Sequence, residues 1–225
     1  MNYKIINDHE ELDKFIEWLP ELNEGECYLL TVFARKKYHP SANNDKIQCK
    51  RVTATSKEWL WRKIMQMDIP LGLYTNKDGT PVSNDALALY ITVNPRSLVG
   101  AQKKLLKKLV DVFTEGHVNM NPASLAMSAI QSSKSRTVYV DLDFDNVKFE
   151  DCISEINGII NEDAYSVLET RGGFHLLVSP NCVEEKFKKT WYKKLTAIPQ
   201  CDVTGDNLIP VAGCCQGGFT PTLIR

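Results

Sequence analysis

The stretch VYVDLDFD, residues 138–145, alternates apolar and polar side chains at the period of two that a β-strand imposes. A strand over 137–144 puts Val138, Val140, Leu142 and Phe144 on one face and Tyr139, Asp141 and Asp143 on the other. Aspartate is poorly suited to a strand interior, and neighbouring carboxylates raise each other's pKa unless a cation or water offsets them. Mg2+ or Mn2+, hard ions that take oxygen ligands, would supply that offset. The plainer reading is a pair of solvent-facing aspartates at a strand end, with Asp145 prolonging an acidic turn.

Downstream, the pattern predicts a helix over 148–160, strands over 165–170 and 173–179 joined by a tight turn at 171–173, a helix over 183–196 and a final strand near 207–212. The order β-α-β-β-α-β is that of a split βαβ unit. In it the third strand lies antiparallel beside the first, so His175 of ETRGGFHLLVS (169–179) faces the same side as Asp141 and Asp143. Gly172 and Gly173 suit the positive φ of a tight hairpin and let backbone approach a ligand. A lone histidine is more often structural, but one beside a diglycine hairpin and facing two carboxylates is a candidate for chemistry. The last strand flanks the first on its other side. In QCDVTGDNLIPVAGCCQGGFTP (200–221) it is preceded by Asp202, which follows an apolar position as a strand residue would, and by Asp206, which fits a turn. Asp202 is the preferred third carboxylate. Three carboxylates around paired metals suit phosphoryl transfer.

Upstream, Leu12, Phe15, Ile16 and Leu19 mark an amphipathic helix over 8–19, capped by Asn7 or Asp8 and closed by Pro20. CYLLTVFA (27–34) reads as a buried strand and RKKYHPSANNDK (35–46) as a mobile loop, basic at its start. A helix over 56–67 and a strand in ALALYITV (86–93) follow, the strand stopping at Asn94-Pro95 with Arg96 just beyond. SLVGAQKKLLKKLVDVF (97–113) is a helix whose Lys103, Lys104, Lys107 and Lys108 are read as a solvated face, and a further helix lies in 119–135. An N-terminal α/β unit over 1–135 and a second unit over 136–225 are expected to form one compact domain.

With 225 residues, 43% hydrophobic and 24% charged, the chain can bury a sizeable core. A net charge of −1 excludes binding of nucleic acid by bulk attraction alone, so local patches would have to do it. No apolar run approaches the roughly 18 residues that span a bilayer, and the opening MNYKIINDHEELDKF is charged throughout, so no membrane partner and a cytoplasmic location are expected. The seven cysteines include no C-x-x-C pair, so zinc is not expected, and Cys152, Cys182 and Cys201 read as small reduced filler. No phosphate-loop motif marks a fused ATP-driven helicase.

Taken in order, Asp141-Leu142-Asp143, Gly173-Phe174-His175 and Cys201-Asp202 resemble the D-x-D strand, small-x-His strand and later carboxylate of the archaeo-eukaryotic primase superfamily. YITVNPR (90–96) is similar to the strand and Asn-Pro-Arg end found ahead of the catalytic unit in primase-polymerases of viruses and plasmids. The resemblance implies an α+β fold in which an RRM-like (split βαβ) catalytic unit packs with the N-terminal α/β unit. It implies Asp141, Asp143 and Asp202 as metal ligands, with Asp206 as substitute for the last, and His175, Arg171, Gly173 and Arg96 around the nucleotide. The implied activity is a DNA primase/polymerase-like nucleotidyl transfer with Mg2+ or Mn2+, NTP or dNTP and a single-stranded DNA template, in a phage or other mobile element, with a separate replicative helicase as a further implied partner. One departure is that LIPVAGCCQGG (208–218) carries no arginine or lysine where the family often has a basic residue. Two competing readings are a non-catalytic RRM-like module stacking single-stranded nucleic acid on Tyr139 and Phe174, and a rolling-circle initiator. The second needs a His-hydrophobic-His pair, and the region has one histidine.

Overall fold

The computed structural model describes residues 1–116, 121–205 and 208–225. Its elements in chain order are α1 (His9–Trp18), β1 (Glu26–Ala34), β2 (Ile47–Ala54), α2 (Lys57–Met65), β3 (Leu87–Thr92), β4 (Arg96–Ser97), α3 (Leu98–Glu115) and α4 (Pro122–Gln131). There follow β5 (Val140–Asp145), α5 (Phe149–Asn157), β6 (Tyr165–Thr170), β7 (Gly173–Val178), α6 (Trp191–Leu195), β8 (Cys201–Gly205), β9 (Leu208–Pro210) and β10 (Thr222–Leu223). The fold is α+β with antiparallel sheets. Helix starts follow side-chain chemistry: the Asp8 carboxylate accepts from the Glu11 amide, Ser56 from Trp59 and Ser97 from Gly100, each satisfying a first-turn N–H.

The first sheet runs β2-β1-β3-β9, with β4 pairing the start of β1. All nine residues of β1 are buried, so both faces of this sheet's centre are covered. One cover is the large core that takes Leu12, Phe15 and Ile16 from α1, Leu60 and Ile64 from α2, and Leu30, Val32, Leu89 and Ile91 from the sheet. The second sheet runs β10-β6-β7-β5-β8. One face packs Leu142, Phe144, Phe174 and Leu176 against Phe149, Cys152 and Ile156 of α5 and Trp191 and Leu195 of α6. The other face divides: Leu168 and Leu177 join the first core, while Asp141, Asp143, Asp145 and His175 line a cleft.

Several expectations change. The final strand is not one segment near 207–212. β8 pairs with β5 and carries Asp202 itself, whereas β9 crosses to pair with β3 in the first sheet. The reason is composition: Ile209, Val211, Ala212, Cys214 and Cys215 form an apolar run that the first core buries. Residues 208–215 therefore pack with the N-terminal part rather than the unit expected over 136–225, while β10 returns to the edge of the second sheet. The helix over 183–196 contracts to α6, and β2 is a strand that the polar sequence IQCKRVTA concealed. The segment 35–46 is fastened. Buried Asn76 donates to the Ser41 carbonyl at 2.9 Å and accepts from the Asn43 amide at 3.0 Å. Among the cysteines, Cys152 is buried as expected, but Cys182 is exposed. No helix among the described residues is long and apolar enough to cross a membrane.

Candidate functional site

Cross-strand register builds the site. Asp143 stands opposite His175 on β7 and opposite Asp202 on β8, so these three residues form one row across adjacent strands, with the same face presented by each directly opposed pair. An irregularity in the β5–β8 pairing between Asp141 and Asp143 sets Asp141 opposite Gly205. Asp141 is 1% exposed and His175 is 8% exposed. The His175 Nδ1 donates to Asp141 Oδ1 at 2.8 Å, and its Nε2 lies 3.7 Å from Asp143 Oδ1. Burial alone would push the imidazole down. The Asp141 charge and hydrogen bond, with Asp143 and Asp145 behind them, reverse that and lift it to about 9. The Asp143 carboxyl is pushed above its ordinary value by burial, which the His175 charge opposes and the charges of Asp145, Asp141 and Asp202 reinforce. Both imidazole nitrogens thus face carboxyl groups, an arrangement that favours the imidazolium.

The entry to β5 is fixed from the first sheet. Asn94, buried just past β3, accepts from the amides of Val138 and Tyr139 at 2.7 and 2.9 Å and donates to the Tyr139 carbonyl at 2.8 Å. Sequence reading took Arg96 from the Asn-Pro-Arg end and passed over Asn94, although a buried amide that can bind both N–H and C=O is the natural clamp for a strand entrance. Gly173 also has a structural reason. A Cβ there would lie 1.9 Å from the Phe144 carbonyl oxygen, so the close approach that the glycine permits is to β5 and not to a ligand. Gly172 has no such constraint, its nearest neighbour being Asp145 Oδ1 at 3.7 Å.

The cleft, about 590 Å3, is lined both by these carboxylates and by a cationic wall. Arg96, 3% exposed, and Arg171 both line it. The Arg171 amide donates to Gln216 Oε1 at 2.8 Å, and its guanidinium donates to the Gly217 carbonyl and lies 5.0 Å from the Tyr38 ring centroid. Arg35, Lys37 and Lys46, which flank and enter the β1–β2 connection, complete the wall with Tyr90 and Gln216. Sequence reading noted the basic start of that connection but not its destination, because nothing local links residue 35 to residue 143.

The structure brings Asp141, Asp143 and His175 into contact and places Arg96, Arg171 and Gly172 around the same cleft. Asp202 lies in register with Asp143 but is exposed, and Asp206 falls outside the described residues. Among the described residues no three His, Cys, Asp or Glu side chains converge as a metal-holding group. The carboxylate pair still fits a hard divalent cation: Asp141 Oδ2 is buried without a hydrogen-bond partner, beside the half-buried Asp143. The stacking platforms of the non-catalytic reading are occupied. Phe174 is 1% exposed and stacks on Phe144 at 4.6 Å, and Tyr139 stacks on Trp18 at 4.8 Å.

No protein-family model, curated protein or solved structure matches the chain. Site geometry and the short motifs carry the functional reading.

Proposed function

We propose that this chain is a template-directed nucleotidyltransferase of the primase-polymerase kind, extending or starting a strand with NTP or dNTP on single-stranded DNA. The observation that carries the proposal is the buried, unpartnered Oδ2 of Asp141, held beside Asp143 and His175 in a cleft that Arg35, Lys37, Lys46, Arg96 and Arg171 also line. The β8-β5-β7-β6 order within the second sheet supports the finer, RRM-like and primase-like form of the fold.

In this reading Asp141 and Asp143 hold Mg2+ or Mn2+, with Asp202 as the nearest further carboxylate across β8. The ion, when bound, supplies activation of the attacking hydroxyl and stabilisation of charge on the phosphorus and leaving group. The chain's own residues orient. Asn94 and the β5–β7 register fix the carboxylates, and His175, once released from Asp141, presents its imidazole N–H to a nucleotide phosphate. Arg96 and Arg171, which line the same cleft, give that anion guanidinium partners.

The test uses the purified chain, a single-stranded DNA template with and without an annealed primer, labelled NTP or dNTP, and Mg2+ or Mn2+ in turn. Metal-dependent products that vanish in Asp143→Ala are expected. Absence of product with either ion, from a protein that melts cooperatively, sinks the proposal.

A further inference from the structure

The cationic wall is held differently from the ion pairs elsewhere in the molecule. Lys57 pairs with Glu21 at 2.6 Å and Arg136 with Glu26 at 3.1 Å. Arg35, Lys37, Lys46 and Arg171 sit instead on aromatic rings, and among the described residues none of the four has an ion-pair partner. Lys46 Nζ lies 4.2 Å from the Phe33 centroid, while Arg35, Lys37 and Arg171 lie 5.9, 5.3 and 5.0 Å from the Tyr38 centroid. The rings brace each other. Phe33 meets Tyr90 edge-on at 5.7 Å, and the Tyr90 and Tyr38 hydroxyls are 3.1 Å apart.

A carboxylate partner would fix a cation and cancel its charge, whereas a ring face fixes it and leaves the charge in force. The arrangement has a cost, since like charges gathered without a counter-ion repel. Lys46 records it: partial burial pushes its ammonium down, and the neighbouring Arg35 pushes it further. A bound polyanion would offset that cost. The connection is also held firmly enough to act as a receptor. The Arg35 Nε donates to the Asp45 carbonyl, and Gly217 packs so close to Tyr38 that a Cβ would lie 2.3 Å from its ring.

We propose that Arg35 and Lys46, at the two ends of the β1–β2 connection, form a subsite for the polyphosphate tail of a nucleotide, in the same cleft as Asp141 and Asp143. Its assignment to a nucleoside triphosphate rests on the transferase reading, but the charge arrangement stands without it.

Titration calorimetry in EDTA with inorganic tripolyphosphate tests the subsite directly. The double variant Arg35→Ala/Lys46→Ala is expected to bind it about tenfold more weakly, and Arg35→Lys/Lys46→Arg to stay within about threefold of wild type. Binding of a short single-stranded oligonucleotide lacking terminal phosphates is expected to change less than about twofold. Melting temperatures confirm folding, and Lys46→Ala alone replaces the double variant if that unfolds. Wild-type tripolyphosphate affinity in the alanine variant overturns the proposal, as does selective loss of oligonucleotide binding, which assigns the wall to a nucleic-acid backbone. If tripolyphosphate binding falls as expected while the wild type makes no strand product, the transferase reading fails and the subsite stands.

Discussion

The two sheets use their faces differently. Along β1 every residue is buried, and the first sheet's centre is a structural slab whose charged and amide contributions to the cleft and its support come from strand ends: Arg35 past the end of β1, Arg96 in β4, Asn94 past the end of β3. In the second sheet β5 spends alternate positions on the α5–α6 core and leaves Asp141, Asp143 and Asp145 on a face that the first unit only partly covers. A sheet enclosed on both sides can position groups but cannot expose a strand-centre carboxylate to a ligand. The half-covered sheet does so and carries the electrostatic cost, visible in the raised Asp143 carboxyl. Function and stability are thereby assigned to different strands, and substitutions should separate them.

The largest effect is expected on the half-covered face. Asp143→Ala should reduce metal-dependent nucleotide incorporation by about 10³-fold, measured as product formed per minute on a primed template. Metal-free melting of Asp143→Asn at neutral pH should stay level or rise, because the buried carboxylate is disfavoured as an anion in the folded state. A marked drop in melting temperature would erase the contrast between the sheets. On the enclosed side, Leu30→Ala removes a fully buried side chain from the middle of β1 and should cost about 3 kcal/mol in denaturant unfolding. The folded fraction should keep its specific activity.

Asn94→Ala falls between these. It removes the acceptor for two amides and the donor to one carbonyl at the entry to β5, a loss of about 2 kcal/mol. Because the clamp sets where Asp141 and Asp143 emerge, activity should fall by more than the unfolded fraction explains. Equal losses in both would make Asn94 structural only.

What the sequence disclosed follows the same division. The β6–β7 hairpin was legible almost to the residue, since 165–170 and 173–178 are apolar-rich runs around Arg171-Gly172 and the chemistry is local. Alternation in β5 placed Asp141 and Asp143 correctly on one face, and the split order put His175 beside them. β8 was read as a lead-in because CDVTG is short and polar, while the more apolar LIPVA drew the strand assignment one segment too late. Only tertiary burial decides between them, as it decides that β9 crosses to β3. The cationic wall was illegible for a related reason. Arg35 and Lys46 reach the cleft through a sheet register spanning the whole chain, and sequence spacing holds no trace of that distance.

The smallest effect concerns His175, and its sign can be worked out. With Asp141, Asp143 and Asp145 facing it, the folded imidazolium titrates at about 9, against an ordinary value of 6.5. A group whose pKa is raised by folding contributes its full stability below the unfolded value and loses it as pH rises through the folded one. In EDTA, stability should therefore hold steady up to about pH 6.5 and then fall between pH 6.5 and 8, by a free energy on the order of one pKa unit. His175→Gln should flatten that segment of the profile. Mg2+ or Mn2+ should flatten it too, since an ion on the carboxylates competes with the imidazolium for the same charge, so the comparison of EDTA with metal reports on the carboxylate pair without reference to activity. A wild-type profile that stays flat from pH 6.5 to 8 in EDTA would mean that His175 is not held as a cation, and the half-covered face would then lack the internal counter-charge that lets three aspartates share one strand.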